Sequence, residues 1–283
     1  MPKTKLRIAT VQFAESFDPW HNARIICRYL SAARKRRADI VHFHEGCLSG
    51  YLARHGAPKP GKVDWTAVRQ ATEAVCDQAR RLGLWVALGS SHPLTTPHKP
   101  TNCLYLIGPD GTIRDRYDKR FCTQADLKVY TPGDRFVTCK IKGATCALLI
   151  CFDLRFPELY RRLKALGAQV ILQSFHNGYM DGPGIHEHII RQTVQAQAGI
   201  NAFWISANNS TGRYSRWPSV FVTPDGRITA SLHRHVAGMM VNTVEVGKKF
   251  YDPSATFRAA AIRGALHTGR CVRDPRLTEK RFL

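Results

Sequence analysis

Apolar and polar residues alternate through Leu6-Arg7-Ile8-Ala9-Thr10-Val11, and this period-two spacing predicts a strand over residues 6–13. The spacing becomes helical over 22–37, shortens to the apolar run Ile40-Val41-His42-Phe43, and turns helical again over 64–82. There Val68, Ala71, Val75, Ala79 and Leu82 share one face. A further short apolar run at 85–89 reads as a buried strand. Later, Ala147-Leu148-Leu149-Ile150 predicts a strand, and Leu159, Leu163 and Leu166 mark one helix face, with Arg161, Arg162 and Lys164 turned outward. Val170-Ile171-Leu172 is the next strand. Strands and helices taking turns in this way predict a layered α/β domain.

Two segments echo one another. Leu104-Tyr105-Leu106-Ile107 leads into Pro109-Asp110-Gly111, and Val220-Phe221-Val222 leads into Pro224-Asp225-Gly226. Pro presets the first turn position and Gly supplies a positive φ, so each triplet predicts a hairpin. We read them as a mild pseudo-repeat, each half adding an antiparallel pair to a stacked sheet. Loops at 55–62 and 92–101 read as surface excursions. With no low-complexity linker, residues 1–250 read as one domain, and 251–283 as an arginine-rich tail packing on that domain or on a partner subunit.

Composition changes this picture at two points. The net charge of +21 raises nucleic-acid binding or steering of an anionic small molecule. The basic clusters lack interleaved aromatic platforms and a recognition motif, so a solvated basic surface is the preferred reading and a nucleic-acid partner is not expected. Nine cysteines, an odd number with no C-x-x-C pair, argue against a disulfide scaffold or a zinc finger. No signal-peptide core and no membrane-spanning apolar run are evident, so a reduced, cytoplasmic location is expected.

Three strand ends carry candidate chemistry. Cys151 follows the run at 147–150 and precedes Pro157-Glu158, where a helix is expected to start. At such a position local fields are expected to favour the thiolate. Glu45 ends Val41-His42-Phe43-His44-Glu45, and Lys119 ends Arg116-Tyr117-Asp118-Lys119. Cleaving a carbon–nitrogen bond with a thiol requires a base, a charge at the oxyanion and a proton for the leaving nitrogen. Strand ends in a layered sheet converge on one rim, so these three side chains are expected to meet.

The block Cys151-Phe152-Asp153-Leu154-Arg155-Phe156-Pro157-Glu158 closely resembles the nucleophile signature of the nitrilase superfamily of carbon–nitrogen hydrolases. Phe43-His44-Glu45 with Ser49-Gly50-Tyr51, and Tyr117-Asp118-Lys119, resemble its glutamate and lysine blocks. Asp126 before Tyr130-Thr131-Pro132-Gly133 resembles the segment carrying a second acidic residue, and Asn201 and Asn209 resemble a late signature. The resemblance implies a four-layer α-β-β-α sandwich that commonly dimerises. It implies Cys151 as nucleophile, Glu45 as general base and acid, and Lys119 as oxyanion stabiliser. The backbone N–H of Phe152 is implied as a second oxyanion donor, and Asp126 as a group orienting the lysine or assisting the substrate. The implied reaction forms a thioester from a small carboxamide and releases ammonia, without a metal or other cofactor. Phe-Asp-Leu-Arg after the nucleophile resembles the amidase branch acting on ω-amides more than true nitrilases. The chain departs from the pattern at His44, where Pro is usual, at Asp126, where Glu is usual, and at Ile200-Asn201, which lacks an acid.

Other readings stay open on the residues alone. A carbamoylase, a nitrile hydrolase, a Cys–His enzyme and a basic nucleic-acid-binding protein on a hydrolase-derived fold are the alternatives. Asp153, Arg155 and Glu158 read as structural ion pairs and helix-end charges. Cys76, Cys103, Cys139 and Cys146 read as small core residues. His186-Glu187-His188 with His176, or His42 with His44, supply too few co-facial ligands for a metal site. Specificity is expected in the loops at 55–62, 122–129 and 175–184, with the charge balance favouring an anionic amide.

Overall fold

Twelve strands among the described residues form two six-stranded sheets. The computed structural model describes residues 4–176, 185–213 and 215–277, the side chains of 185–187 excepted. The chain divides into two units, Met1–Phe250 and Tyr251–Leu283. The first sheet takes β1 (Lys5–Gln12), β2 (Ile40–Phe43), β3 (Trp85–His92), β4 (Thr101–Ile107) and β5 (Ile113–Asp118). The second takes β6 (Thr138–Ile141), β7 (Ala144–Ile150), β8 (Val170–Ser174), β9 (Trp204–Asn208), β10 (Val220–Val222) and β11 (Ile228–Ser231). β12 (Gly238–Glu245) returns to pair antiparallel with β1.

The two sheets repeat one plan. β1, β2 and β3 are parallel, and β4 and β5 follow antiparallel. β7, β8 and β9 are parallel, and β10 and β11 follow antiparallel. Both Pro-Asp-Gly turns join the final pairs, with φ of +81° at Gly111 and +79° at Gly226. The echo noticed in two hairpins therefore extends to whole halves.

Helices α1 (Pro19–Lys35) and α2 (Trp65–Leu82) cover the first sheet. Ile26, Leu30, Ala71 and Val75 pack against Val41, Phe43, Val86 and Leu88. The alternate residues Leu6, Ile8, Ile40, Ala87, Leu104 and Leu106 face inward and join the core of the second sheet. α3 (Gln124–Val129) follows β5, and on the second sheet's side α4 (Pro157–Ala165) and α5 (Ile185–Asn201) contribute Leu159, Leu163, Val194 and Ala198 to the core. This is the expected α-β-β-α sandwich. The C-terminal unit contains α6 (Ala255–Ile262), which has no buried residue.

α1 starts earlier than periodicity predicts because Asp18 accepts N–H bonds from Trp20 and His21 while Pro19 fits the first helical position. It stops at Lys35, before Arg37 turns left-handed at φ 55°. Asp64 caps α2 through the Ala67 N–H, and Gly83 ends it at φ 61°.

Candidate active site

β5 runs parallel to β3, because two antiparallel steps separate them. Its end therefore shares a rim with the end of β2, and Glu45 and Lys119 emerge side by side. Lys119 Nζ donates to Glu45 Oε1 at 2.9 Å and to Asp126 Oδ2 at 2.8 Å, with all three side chains fully buried. Glu45 Oε1 also accepts from Asn102 Nδ2 at 2.6 Å, and Oε2 accepts from the His176 backbone N–H at 2.6 Å. Asp126 accepts further bonds from the Tyr51 hydroxyl (2.6 Å) and the Thr123 N–H (2.9 Å), the latter closing a capping box on α3.

These contacts set the ionisation of the site. Burial opposes the Lys119 ammonium, but Glu45 and its other anionic neighbours outweigh that and hold its pKa well above the ordinary lysine value. Burial likewise opposes the Asp126 carboxylate, and the Lys119 charge and bond outweigh it, so its pKa lies below the usual range. The lysine stays charged between two carboxylates.

Cys151 leaves β7 at a sharp corner, with φ at 45°, and begins a 3-10 turn that runs to Arg155. A non-glycine residue in this region stores backbone strain, and here the strain lifts the sulfur off the strand end. Sγ lies 4.0 Å from the His176 carbonyl, and the Glu45 carboxylate is near enough to act on the ionisation of the thiol. Burial and the Glu45 charge push the thiol pKa up, with Lys119 only partly offsetting them. The expectation of a favoured thiolate is thus corrected. α4 starts only at Pro157, past the 3-10 turn, and the anion beside the sulfur is closer than any helix end. The resting group is a thiol beside a carboxylate.

Asp153 also departs from expectation. Among the described residues it pairs with no cation; it accepts from the Tyr117 hydroxyl (2.7 Å), the Phe121 N–H (2.9 Å) and the Ile150 N–H (2.9 Å). Burial pushes its carboxyl up to about 6, against those three donors. Residues flanking Lys119 and Cys151 are thereby fastened to one side chain. Arg155 lies over the Phe152 ring at 4.6 Å, and Glu158 is an exposed first-turn charge of α4.

Several contributors carry no sequence signal. Asn102, the second residue of β4, belongs to no motif. Glu15, beyond β1, accepts from His176 Nε2 (2.8 Å) and the Ser210 hydroxyl (2.7 Å), and pairs with Arg54 at 3.1 Å. Burial opposes this carboxylate, but His176, His44 and Ser210 bring it down to about 2. His176 is thus committed to Glu15 and its ring packs on Tyr51 at 4.7 Å. No histidine ring bonds the thiol among the described residues. His42 lies between Ser206 and Ser174, and His44 Nδ1 bonds the Glu45 carbonyl. Among the described residues no group of three or more His, Cys, Asp or Glu is arranged to hold a metal. The side chains of His186 and Glu187, and residues 177–184 of the expected specificity loop, lie outside the described residues. The remaining cysteines are unpaired, Cys103 and Cys146 being buried and Cys76 and Cys139 half-buried.

Residues 7–248 match the family model for carbon–nitrogen hydrolases. The chain belongs to that family. As a carbon–nitrogen hydrolase it acts on carbon–nitrogen bonds other than peptide bonds. Among curated relatives, it is 29% identical over 224 residues to an (R)-stereoselective amidase of Pseudomonas sp., covering 76% of this chain and 77% of the relative. It is 25% identical over 237 residues to omega-amidase NIT2 of Homo sapiens, covering 80% and 84%. Among solved structures, an amidase of the nitrilase superfamily from Nesterenkonia sp. AN1 shares this carbon–nitrogen hydrolase fold. Its butyramide complex superposes with a TM-score of 0.76 at 22% identity, covering 87% of this chain and 93% of the other. A form carrying the acetamide moiety of fluoroacetamide on its active-site cysteine gives 0.77 at 20% identity, covering 94% and 95%.

Proposed function

We propose that this carbon–nitrogen hydrolase is a thiol amidohydrolase that releases ammonia from a small carboxamide. Cys151 Sγ attacks the carbonyl carbon while Glu45 takes the thiol proton, so that the nucleophile forms as it reacts. The oxyanion faces the Lys119 ammonium and the Phe152 backbone N–H. Glu45 passes its proton to the nitrogen, the carbon–nitrogen bond breaks, and ammonia leaves a thioester on Cys151. Glu45 then deprotonates water, which attacks the thioester; the acid departs and the thiol regains its proton. Asp126 acts through Lys119, holding the ammonium in place. These side chains account for every proton and charge, so the reading invokes no metal or cofactor.

The observation that carries this reading is the buried Lys119 ammonium 2.9 Å from Glu45, with the Cys151 thiol in the field of the same carboxylate. The names of the relatives favour amides over nitriles, and the charge of +21 favours an anionic amide. The reading also takes the protein to be a cytoplasmic homodimer. Its nine unpaired cysteines suit a reducing compartment, and α5 leaves Ile189 and Ile200 exposed for a partner subunit.

Ammonia release from a panel of ω-amides, neutral amides, carbamoyl compounds and nitriles tests it. Carboxamides should be hydrolysed, and Cys151→Ala and Glu45→Gln should each lower kcat by about a thousandfold or more. Near-full activity of Glu45→Gln would give the base role to a histidine. Equimolar carbon dioxide with the ammonia would make the enzyme a carbamoylase.

A further inference from the structure

The catalytic rim lies at the carboxyl ends of the parallel strands; the opposite pole carries a second feature. A concavity of about 610 Å³ opens between the start of β1, the end of α1 and the β6–β7 turn. Its walls hold Lys5, Arg7, Arg34, Lys35, Arg37 and Lys142. The sole acidic residue of the lining, Asp39, is already committed. One oxygen accepts the Arg7 backbone N–H at 2.8 Å, and the other meets Lys142 Nζ at 2.6 Å. Among the described residues, the side chains of Lys5, Arg34, Lys35 and Arg37 have no carboxylate partner.

Cations at a helix end ordinarily offset its dipole, equivalent to about half a charge. Here that task is already met. The Arg7 guanidinium donates to the carbonyls of Arg37 and Arg36, each at 2.9 Å. The remaining charges exceed any need of α1. Backbone geometry points the same way. Arg37 (φ 55°) and Lys142 (φ 44°) occupy left-handed positions, where glycine or asparagine is favoured. Both strained positions carry a cation, and both face the concavity. The end of α1 and the two-residue β6–β7 turn each require a left-handed residue, and in both places a cation stands where glycine or asparagine would be the easier choice.

We propose that this recess binds a compact anion carrying two or more linked phosphates, apart from the amide site. Cations from three separated chain segments converge on a hollow, which suits one small multivalent ligand. An extended nucleic acid would call for a longer stripe with aromatic platforms, and the lining has no aromatic residue.

The test is calorimetric titration of the full-length protein with sodium tripolyphosphate, and separately with ATP, in about 0.15 M salt. Saturable one-site binding is expected. The double variant Arg37→Gly/Lys142→Asn should bind at least about tenfold more weakly, having lost two charge-assisted contacts. Its melting temperature should not fall, because glycine and asparagine relieve both strained positions, and its rate of amide hydrolysis should be unchanged. Arg69→Asn/Arg162→Asn removes equal charge from two exposed sites elsewhere and should leave affinity within about twofold. ATP binding as tightly as tripolyphosphate, or more tightly, would identify nucleotides as the source; weaker ATP binding would identify inorganic polyphosphate. The proposal is overturned by absence of wild-type binding, or by equal losses in the two double variants. It is also overturned if a single-stranded oligonucleotide binds more tightly than tripolyphosphate and weakens equally in both.

Discussion

Asp153 gathers the hydroxyl of Tyr117 and the N–H groups of Phe121 and Ile150 into one buried cluster. Replacing it with alanine leaves three donors without a partner. Each such loss costs roughly 1–3 kcal/mol, so Asp153→Ala should lower stability by about 3 kcal/mol or more in urea unfolding. Lys119 and Cys151 are held on either side of this cluster, and a misplacement of one ångström costs a rate up to about a hundredfold. The variant should therefore lose kcat more than it raises KM. An unchanged kcat would make Asp153 purely a structural group. Local sequence carried Cys151, because its whole block lies within eight residues. It misread Asp153, because a carboxylate near a helix start looks alike whether it meets solvent or buried N–H groups. Glu15 and Asn102 were invisible, and His176 stood out only as a candidate metal ligand, for a related reason: their partners lie dozens to hundreds of positions away.

At the scale of elements, a buried polar seam joins the sheets beside the catalytic rim. Thr10 Oγ1 and Ser206 Oγ are 2.7 Å apart, His42 spans Ser206 (2.8 Å) and Ser174 (2.9 Å), and Ser174 donates to the Phe43 carbonyl. Asn208 Nδ2 adds bonds to the carbonyls of Val11 and His42. Because Ser174 spends its proton on Phe43, it accepts from His42 Nε2, which leaves Nδ1 to accept from Ser206. Burial keeps this imidazole neutral. The seam fixes the strands that deliver Glu45 against the sheet that delivers Cys151, as networks of this kind specify one arrangement. Within the first sheet, Gly89 on β3 admits the turn after β2, and an added Cβ there would collide with the His44 carbonyl. Gly89→Ala should cost about 1–3 kcal/mol by overpacking and displace Glu45. Circular dichroism melts together with ammonia release check this; wild-type kcat in a folded variant would show that the close approach is dispensable. Periodicity predicted these strands but treated every buried position as apolar, so the seam was not foreseen.

Over the whole molecule, the neutral histidines make the fold sensitive to acid. Burial holds His42 at about 3 and His44 at about 4, both below the ordinary 6.5. The unfolded chain therefore takes up protons first as pH falls, and stability is lost progressively below 6.5. Asp153 acts in the opposite sense, since its folded carboxyl keeps a proton between about 6 and 3.8. Glu15, brought down to about 2 from 4.5, keeps its contribution above 4.5 and loses it only in stronger acid. Two histidines outweigh one aspartate. Going from about pH 7.5 to about pH 5 should cost on the order of 2–3 kcal/mol. His42→Gln, which keeps a partner for each serine, should flatten that slope by roughly three quarters, because Asp153 then offsets most of what His44 contributes. A wild-type urea midpoint that is level across this range would refute the account. At the same scale the charge of +21 is unevenly used, with six cations lining one recess at the pole away from the rim.

Sequence alone determined the rhythm of strands and helices, the two Pro-Asp-Gly hairpins and the three strand-end residues, because each is encoded by neighbours within a few positions. The tertiary structure decided what those residues experience. Antiparallel steps through β4 bring the ends of β2 and β5 to one rim, burial beside Glu45 keeps Cys151 protonated, and Asp126 reaches Lys119 across a capped turn. Field and proximity depend on distances in space, and separation along the chain does not encode them.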